Sequence, residues 1–211
     1  MSQNVLILTV ELIGTLAFTV SGAMVGIRKK MDIFGISILG LCPAVGGGIL
    51  RDLLLGNTPP AAFRDPVYAL VSIGVSNIVF LRPVRQYLGK AHPAYDKILL
   101  VMDSVGLGIF TVMGVRTALL SVENCGAFLL IFVGVTTGVG GGVLRDVLAS
   151  ETPVIFRKMF YASASLLGAV TYILLYPRMT DLGSLLTGAL VVFILRMLAA
   201  HYHWKLPRAE E

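Results

Sequence analysis

Long apolar runs separated by short charged connections dominate this chain, and that alternation leaves little choice of fold. A hydrocarbon core about 30 Å thick asks for roughly 20 mostly apolar residues per helix. Inside lipid, the backbone polar groups of such a segment must bond within it, which favours the α-helix. Seven runs meet or approach the required length: residues 5–27, 33–50, 67–81, 98–115, 125–144, 159–176 and 182–195. The third and seventh are short. Pro66 and Pro83 frame the third, because proline suits a first helical turn and blocks continuation. Composition points the same way, with 56% apolar and 14% charged residues, against about 25% charged in a soluble domain. The expected fold is all-α and integral to a membrane. Its seven transmembrane helices comprise two inverted three-helix repeats and a seventh helix, in one domain over 1–211.

The charges give an orientation. Seven spans put the termini on opposite sides, so the basic residues fall into two sets. Arg51, Arg64, Arg116 and Arg178 lie on the amino-terminal side. The other thirteen, Arg28, Lys29, Lys30, Arg82, Arg85, Lys90, Lys97, Arg145, Arg157, Lys158, Arg196, Lys205 and Arg208, lie opposite. The positive-inside rule then predicts an outer amino terminus and a cytoplasmic carboxyl terminus in a multi-pass inner (plasma) membrane protein. The net charge of +5 is spread between apolar runs and forms no nucleic-acid patch. Cys42 and Cys125 lack metal-ligand spacing and read as free, buried thiols. No metal, cofactor or catalytic constellation is expected, and nothing points to an enzyme.

An internal repeat sharpens the picture. Residues 45–59 read VGGGILRDLLLGNTP and residues 139–153 read VGGGVLRDVLASETP, with ten of fifteen positions identical at an offset of 94. Upstream, Phe18, Thr19, Val20 and Gly22 match Phe110, Thr111, Val112 and Gly114 at an offset of 92, as Glu11 matches the acidic Asp103. Repeat one covers about 5–83, repeat two about 97–176, and the seventh helix about 182–200. Each repeat holds three spans, an odd number, so the second copy enters the membrane from the opposite side. Inverted repeats of this kind place a transport path between the halves.

Gly46, Gly47 and Gly48, with Gly140, Gly141 and Gly142, are the features that most need a physical account. An interior helical glycine costs up to about 1 kcal/mol relative to alanine, and Pro43 adds a kink. The expectation is two broken helices facing a watery cavity, with Ser21, Thr136 and Thr137 hydroxyls nearby as oxygen ligands for a small cation or polar solute. The alternative is that small residues merely let helices pack closely. Next to the triplets stand Arg51, Asp52, Arg145 and Asp146. Adjacent residues on a helix point in different directions, so each Arg and Asp is expected to serve a different partner. Helix rise brings Glu11 to the level of Arg51 and Asp103 to that of Arg145. The predicted pairs are Glu11–Arg51 and Asp103–Arg145, one toward each mouth; the alternative is arginines that snorkel to the headgroups. Thr58-Pro59 and Thr152-Pro153 are expected to stop the broken helices.

At its two GGGxxRDxL segments the sequence resembles the prokaryotic trimeric intracellular cation (TRIC) channel family, also catalogued as UPF0126 and as a glycine-transporter-like domain. The resemblance runs over about residues 5–200. It implies a homotrimer embedded in membrane lipids, with a separate pore in each subunit. It also implies permeation of a monovalent cation, chiefly potassium, past kinks at the two triplets. Two functions compete: a passive cation channel, and a carrier for a small zwitterion such as glycine that uses the same cavity. A structural or lipid-binding scaffold would explain the apolar packing but not the repeated Arg-Asp.

Overall fold

A computed structural model describes residues 3–88, 92–157 and 160–204. Lys90, Lys158, Met159, Lys205 and Arg208, together with the side chain of Arg157, lie outside the described residues. Every regular element among those described is helical: α1 (Gln3–Arg28), α2 (Ile33–Leu54), α3 (Ala61–Arg64), α4 (Val67–Phe80), α5 (Arg82–Leu88), α6 (Tyr95–Ser121), α7 (Ala127–Leu148), α8 (Val154–Arg157), α9 (Ala162–Leu175) and α10 (Asp181–His201).

Local chemistry sets several of these ends. The Asp32 carboxylate accepts from the Gly35 N–H at 2.7 Å and opens α2, and the Thr180 hydroxyl accepts from the Gly183 N–H at 3.1 Å and opens α10. Each supplies an acceptor to an N–H that has no partner within its own helix. Two helices close in the same way. After α2, Gly56 takes φ +73° and donates to the Leu53 carbonyl, while Asn57 donates to that of Asp52. After α7, Ser150 takes φ +53°, Ser150 donates to Val147, and Glu151 donates to Asp146. Both are the paired-bond helix terminus that a left-handed residue permits. The helices therefore stop before Thr58 and Thr152, and the expectation that the Thr-Pro steps end them is corrected.

Among the described residues, five helices are long and apolar enough to cross a bilayer: α1 from Val5, α2, α6, α7 and α10. Helices α4 and α5 add a sixth if counted as one span, although they meet at an 86° bend. The stop expected at Pro83 falls two residues earlier, at Leu81, and Pro83 sits in the first turn of α5. Helix α9 is apolar but has only 14 residues, about 21 Å of rise. The seventh expected span is longer than its apolar run, since α10 runs to 21 residues and reaches membrane length.

Helices α1, α2 and α4 pack on one another, as do α6, α7 and α9. The two groups join where α2 meets α7 and where α1 meets α6, and α10 lies against α6 and α9. At the α1–α6 contact the rings of Phe18 and Phe110 stack with centroids 5.4 Å apart. These two phenylalanines are equivalent in the repeat, so the halves touch through like residues. Cys42 and Cys125 are free, as expected, but half-buried.

Candidate functional site

The site is built around the crossing of α2 and α7, which the glycine triplets make possible. Both helices run unbroken through their triplets, and α2 continues past Pro43. The broken helices expected from the glycines are therefore not formed. What the glycines permit is close approach. A Cβ on Gly47 would overlap the Thr137 carbonyl oxygen, and one on Gly141 would overlap that of Pro43. The flanking contacts are reciprocal. A Cβ on Gly46 would press on the Leu144 methyl at 2.5 Å, and one on Gly140 on the Leu50 methyl at 2.8 Å. The third glycines, Gly48 and Gly142, face the charged groups.

On one side of the crossing stands a cluster made by Glu11, Arg51, Asp52 and Tyr68. The Arg51 Nε donates to the Asp52 Oδ1 at 2.8 Å. The Asp52 Oδ2 accepts from the Ala61 N–H at 2.8 Å and so opens α3. The Tyr68 hydroxyl donates to the Glu11 Oε2 at 2.7 Å. These groups border a cavity of about 240 Å³ that also meets Thr15, Gly48, Asp65 and Phe110. Three carboxylates, Glu11, Asp52 and Asp65, face it against one guanidinium, Arg51.

On the other side the same constellation recurs in Asp103, Arg145, Asp146 and Tyr161. The Arg145 Nε donates to the Asp146 Oδ1 at 2.9 Å, and the Asp146 Oδ2 accepts from the Val154 N–H at 2.8 Å. The Tyr161 hydroxyl donates to the Asp103 Oδ1 at 3.4 Å. Here the arginine also reaches the acidic residue of the preceding helix, Arg145 Nη1 to Asp103 Oδ1 at 2.6 Å. It donates as well to the Ser21 hydroxyl. Arg145, Asp103 and Asp146 are all buried. The cavity at this end is only about 50 Å³.

The predicted residues thus fall out unevenly. Asp103 and Arg145 are paired. Glu11 and Arg51 are not: Tyr68 holds one and Asp52 the other. Each Arg bonds its Asp neighbour in sequence, contrary to the expectation of separate partners. Arg145 is buried, and the Arg51 side chain, 12% exposed, is held by Asp52, so neither extends freely as the snorkelling alternative requires. Ser21 and Thr137 are buried and already bonded, Thr137 donating to the Val133 carbonyl at 2.6 Å. Thr136 is half-buried, and none of the three lines either cavity. Sequence reasoning missed Tyr68, Tyr161, Thr15, Asp65 and Arg196. The two tyrosines are repeat equivalents at an offset of 93, visible once the alignment is carried past the Thr-Pro steps.

The loops after α2 and α7 carry a further equivalent pair. The Asn57 side-chain amide donates to the Ser121 hydroxyl at 3.3 Å. Glu151, its counterpart, pairs with Arg28 at 2.6 Å and Lys29 at 3.0 Å. Partial burial raises the Glu151 carboxyl, but the two cations outweigh it and hold the group below its ordinary value.

Apolar helices of membrane length, packed around a crossing with buried charge on both sides, define a multi-pass helical membrane protein. A family model described as Glycine transporter matches residues 8–83 and 100–177. A UPF0126 membrane protein of Deinococcus radiodurans is 37% identical over 199 residues, 93% of this chain and 89% of that one. The UPF0126 inner membrane protein YadS of Escherichia coli is 35% identical over 96% of this chain and 95% of its own. Among solved structures, a prokaryotic TRIC channel in 0.5 M KCl superposes with a TM-score of 0.88 at 33% identity, covering 97% of this chain and all of that one. The TRIC trimeric intracellular cation channel orthologue from Rhodobacter sphaeroides gives 0.85 at 35% identity, covering 94% and 99%. The chain belongs to the TRIC (UPF0126) family, and it is a multi-pass inner membrane protein.

Proposed function

We propose that this protein is a potassium-permeable channel for monovalent cations, with one pore inside each protomer of a homotrimer. The observation that carries this reading is the cavity of about 240 Å³ against the α2–α7 crossing. Its three carboxylates and one arginine give a formal charge of −2. Low-dielectric walls around charge of one sign concentrate counter-ions, and a hydroxyl and carboxylates are ligands suited to a hard cation. The relationship to proteins described as TRIC cation channels supports the same class.

In this reading α4 and α9 also cross, giving seven spans, and the two three-helix groups are inverted copies within one membrane domain. Reciprocal packing of the triplets and the Phe18–Phe110 stack support the pseudo-two-fold relation. The path runs from the Glu11, Arg51 and Asp52 mouth past Gly46, Gly47 and Gly48, then Gly140, Gly141 and Gly142, to the mouth at Asp103, Arg145 and Asp146. The paired, buried guanidinium of Arg145 narrows that second end. Pro43, Ser21, Thr136 and Thr137 support the walls. No cofactor is needed beyond the permeating ion, and lipid surrounds the exposed apolar faces. The excess of basic residues on one set of loops puts the amino terminus outside and the carboxyl terminus in the cytoplasm.

The description of the matching family as Glycine transporter favours a second reading, a carrier of a small zwitterion through the same cavity. Recording from the purified protein in planar bilayers separates the two. Unitary potassium currents are expected; saturable glycine counterflow in proteoliposomes without unitary currents would overturn the channel reading.

A further inference from the structure

The two charged clusters are built from equivalent residues at four positions: Glu11 and Asp103, Arg51 and Arg145, Asp52 and Asp146, Tyr68 and Tyr161. One participant has no counterpart. Arg196 comes from α10, outside the repeat, and enters only the second cluster. Its Nη2 lies 3.5 Å from the Asp103 Oδ2, and its guanidinium rests 4.7 Å from the centre of the Tyr161 ring. It is 4% exposed, yet its Nε has no hydrogen-bond partner among the described residues. A buried guanidinium with an unmet donor and one long ion contact is held weakly for its type, since such groups are normally saturated with bonds.

We propose that Arg196 is a tethered cation filling a site on Asp103 that a free monovalent cation takes when the side chain withdraws. In the first cluster the carboxylate opposite the tyrosine borders an open cavity of about 240 Å³; in the second, with Arg196 in place, about 50 Å³ remains. The charges agree. In the first cluster Glu11 and Asp52 against Arg51 give a formal −1; in the second, Asp103 and Asp146 against Arg145 and Arg196 give 0. Without Arg196 the second cluster carries −1, the same as its equivalent. The guanidinium stacks on Tyr161 through attraction between a cation and a ring face, a contact that it can leave without breaking a saturated network. Ion and side chain compete for one carboxylate, so potassium favours the withdrawn state only through its greater affinity for it.

This inference rests on the channel reading, and the test keeps the two apart. In planar bilayers, Arg196→Gln should raise the open probability by roughly 5–150-fold, the usual size of a coupling between two states. Arg196→Lys, which keeps a cation, should stay near the wild type. In detergent, potassium in place of N-methyl-D-glucamine should stabilise Arg196→Gln against heat more than it stabilises the wild type. An Arg196→Gln protein with unchanged currents and unchanged potassium stabilisation would overturn the tethered cation while leaving the channel intact. Absence of potassium currents from every form would sink the channel reading, and the thermal comparison would still decide the site. If Arg196→Gln is not recovered folded, phenylglyoxal labelling of the wild type decides. Labelling of Arg196 should rise in potassium relative to N-methyl-D-glucamine, and equal labelling in both overturns the proposal.

Discussion

Each triplet places three glycines side by side in surroundings so different that single alanine substitutions should separate two explanations for them. At Gly47 the added methyl meets the Thr137 backbone carbonyl, which cannot turn aside, so α2 and α7 must move apart. At Gly46 it meets the end of the Leu144 side chain at 2.5 Å, which can rotate away. At Gly48 the nearest atom is the Arg51 Nη2 at 3.8 Å, an ordinary contact. Helix propensity favours alanine over glycine by up to about 1 kcal/mol at all three positions and cancels in the comparison. What remains is the overpacking penalty, about 1–3 kcal/mol where the backbone must shift. Gly47→Ala should therefore fall below Gly48→Ala by about 1–3 kcal/mol, with Gly46→Ala between them. Gly48→Ala itself should equal or exceed the wild type. Gly141, Gly140 and Gly142 should differ in that Gly142 joins the sensitive class, because its methyl would lie 2.6 Å from the Tyr161 hydroxyl. Reversible unfolding in mixed micelles measures the differences. If all three alanines of the first triplet cost the same, the glycines serve flexibility and the close-approach argument fails.

Two further outcomes follow from the charges. Arg145→Gln leaves Asp103 and Asp146 buried with fewer partners and should cost about 3–5 kcal/mol. Arg51→Gln strands only Asp52, which keeps its bond from Ala61, and should cost about 1–3 kcal/mol; equal losses in micelle unfolding would contradict the asymmetry. The lowered Glu151 carboxyl contributes stability above its ordinary value of 4.5 and loses that contribution as pH falls through its lowered value. Thermal scans taken from neutral to acid pH should show an acid limb that Glu151→Gln diminishes, and an identical limb in the variant would refute the assignment.

Much of this arrangement is legible in the sequence. Apolar run length places the helices, because lipid thickness and helix rise leave few solutions. The Asp103–Arg145 contact follows from counting turns along α6 and α7. The same count fails for Glu11 and Arg51, since it takes no account of Tyr68, whose hydroxyl reaches Glu11 from α4. Adjacency misleads at the Arg-Asp steps as well. Cβ directions diverge, but an arginine chain is long enough to fold back onto its neighbour near a helix end. Arg196 was beyond reach of a symmetry argument because nothing in the first repeat corresponds to it. The continuity of α2 and α7 shows packing overriding propensity: contact between the helices at Gly47 and Gly141 offsets what glycine loses.

The loop contacts at Asn57 and Glu151 have a consequence for how the two faces respond to dissolved salt. One joins two neutral groups, and ionic strength leaves it nearly untouched. The other joins a carboxylate to two cations that remain about a quarter to a third exposed, where mobile ions screen charge over about 8 Å at physiological strength. In the inverted arrangement proposed above the two loops face opposite solutions, so concentrated electrolyte on the Glu151 face loosens that closure, while the same electrolyte on the other face leaves the Asn57 contact nearly untouched. Two halves of one design, set facing different solutions by that arrangement, would become a comparison between those solutions.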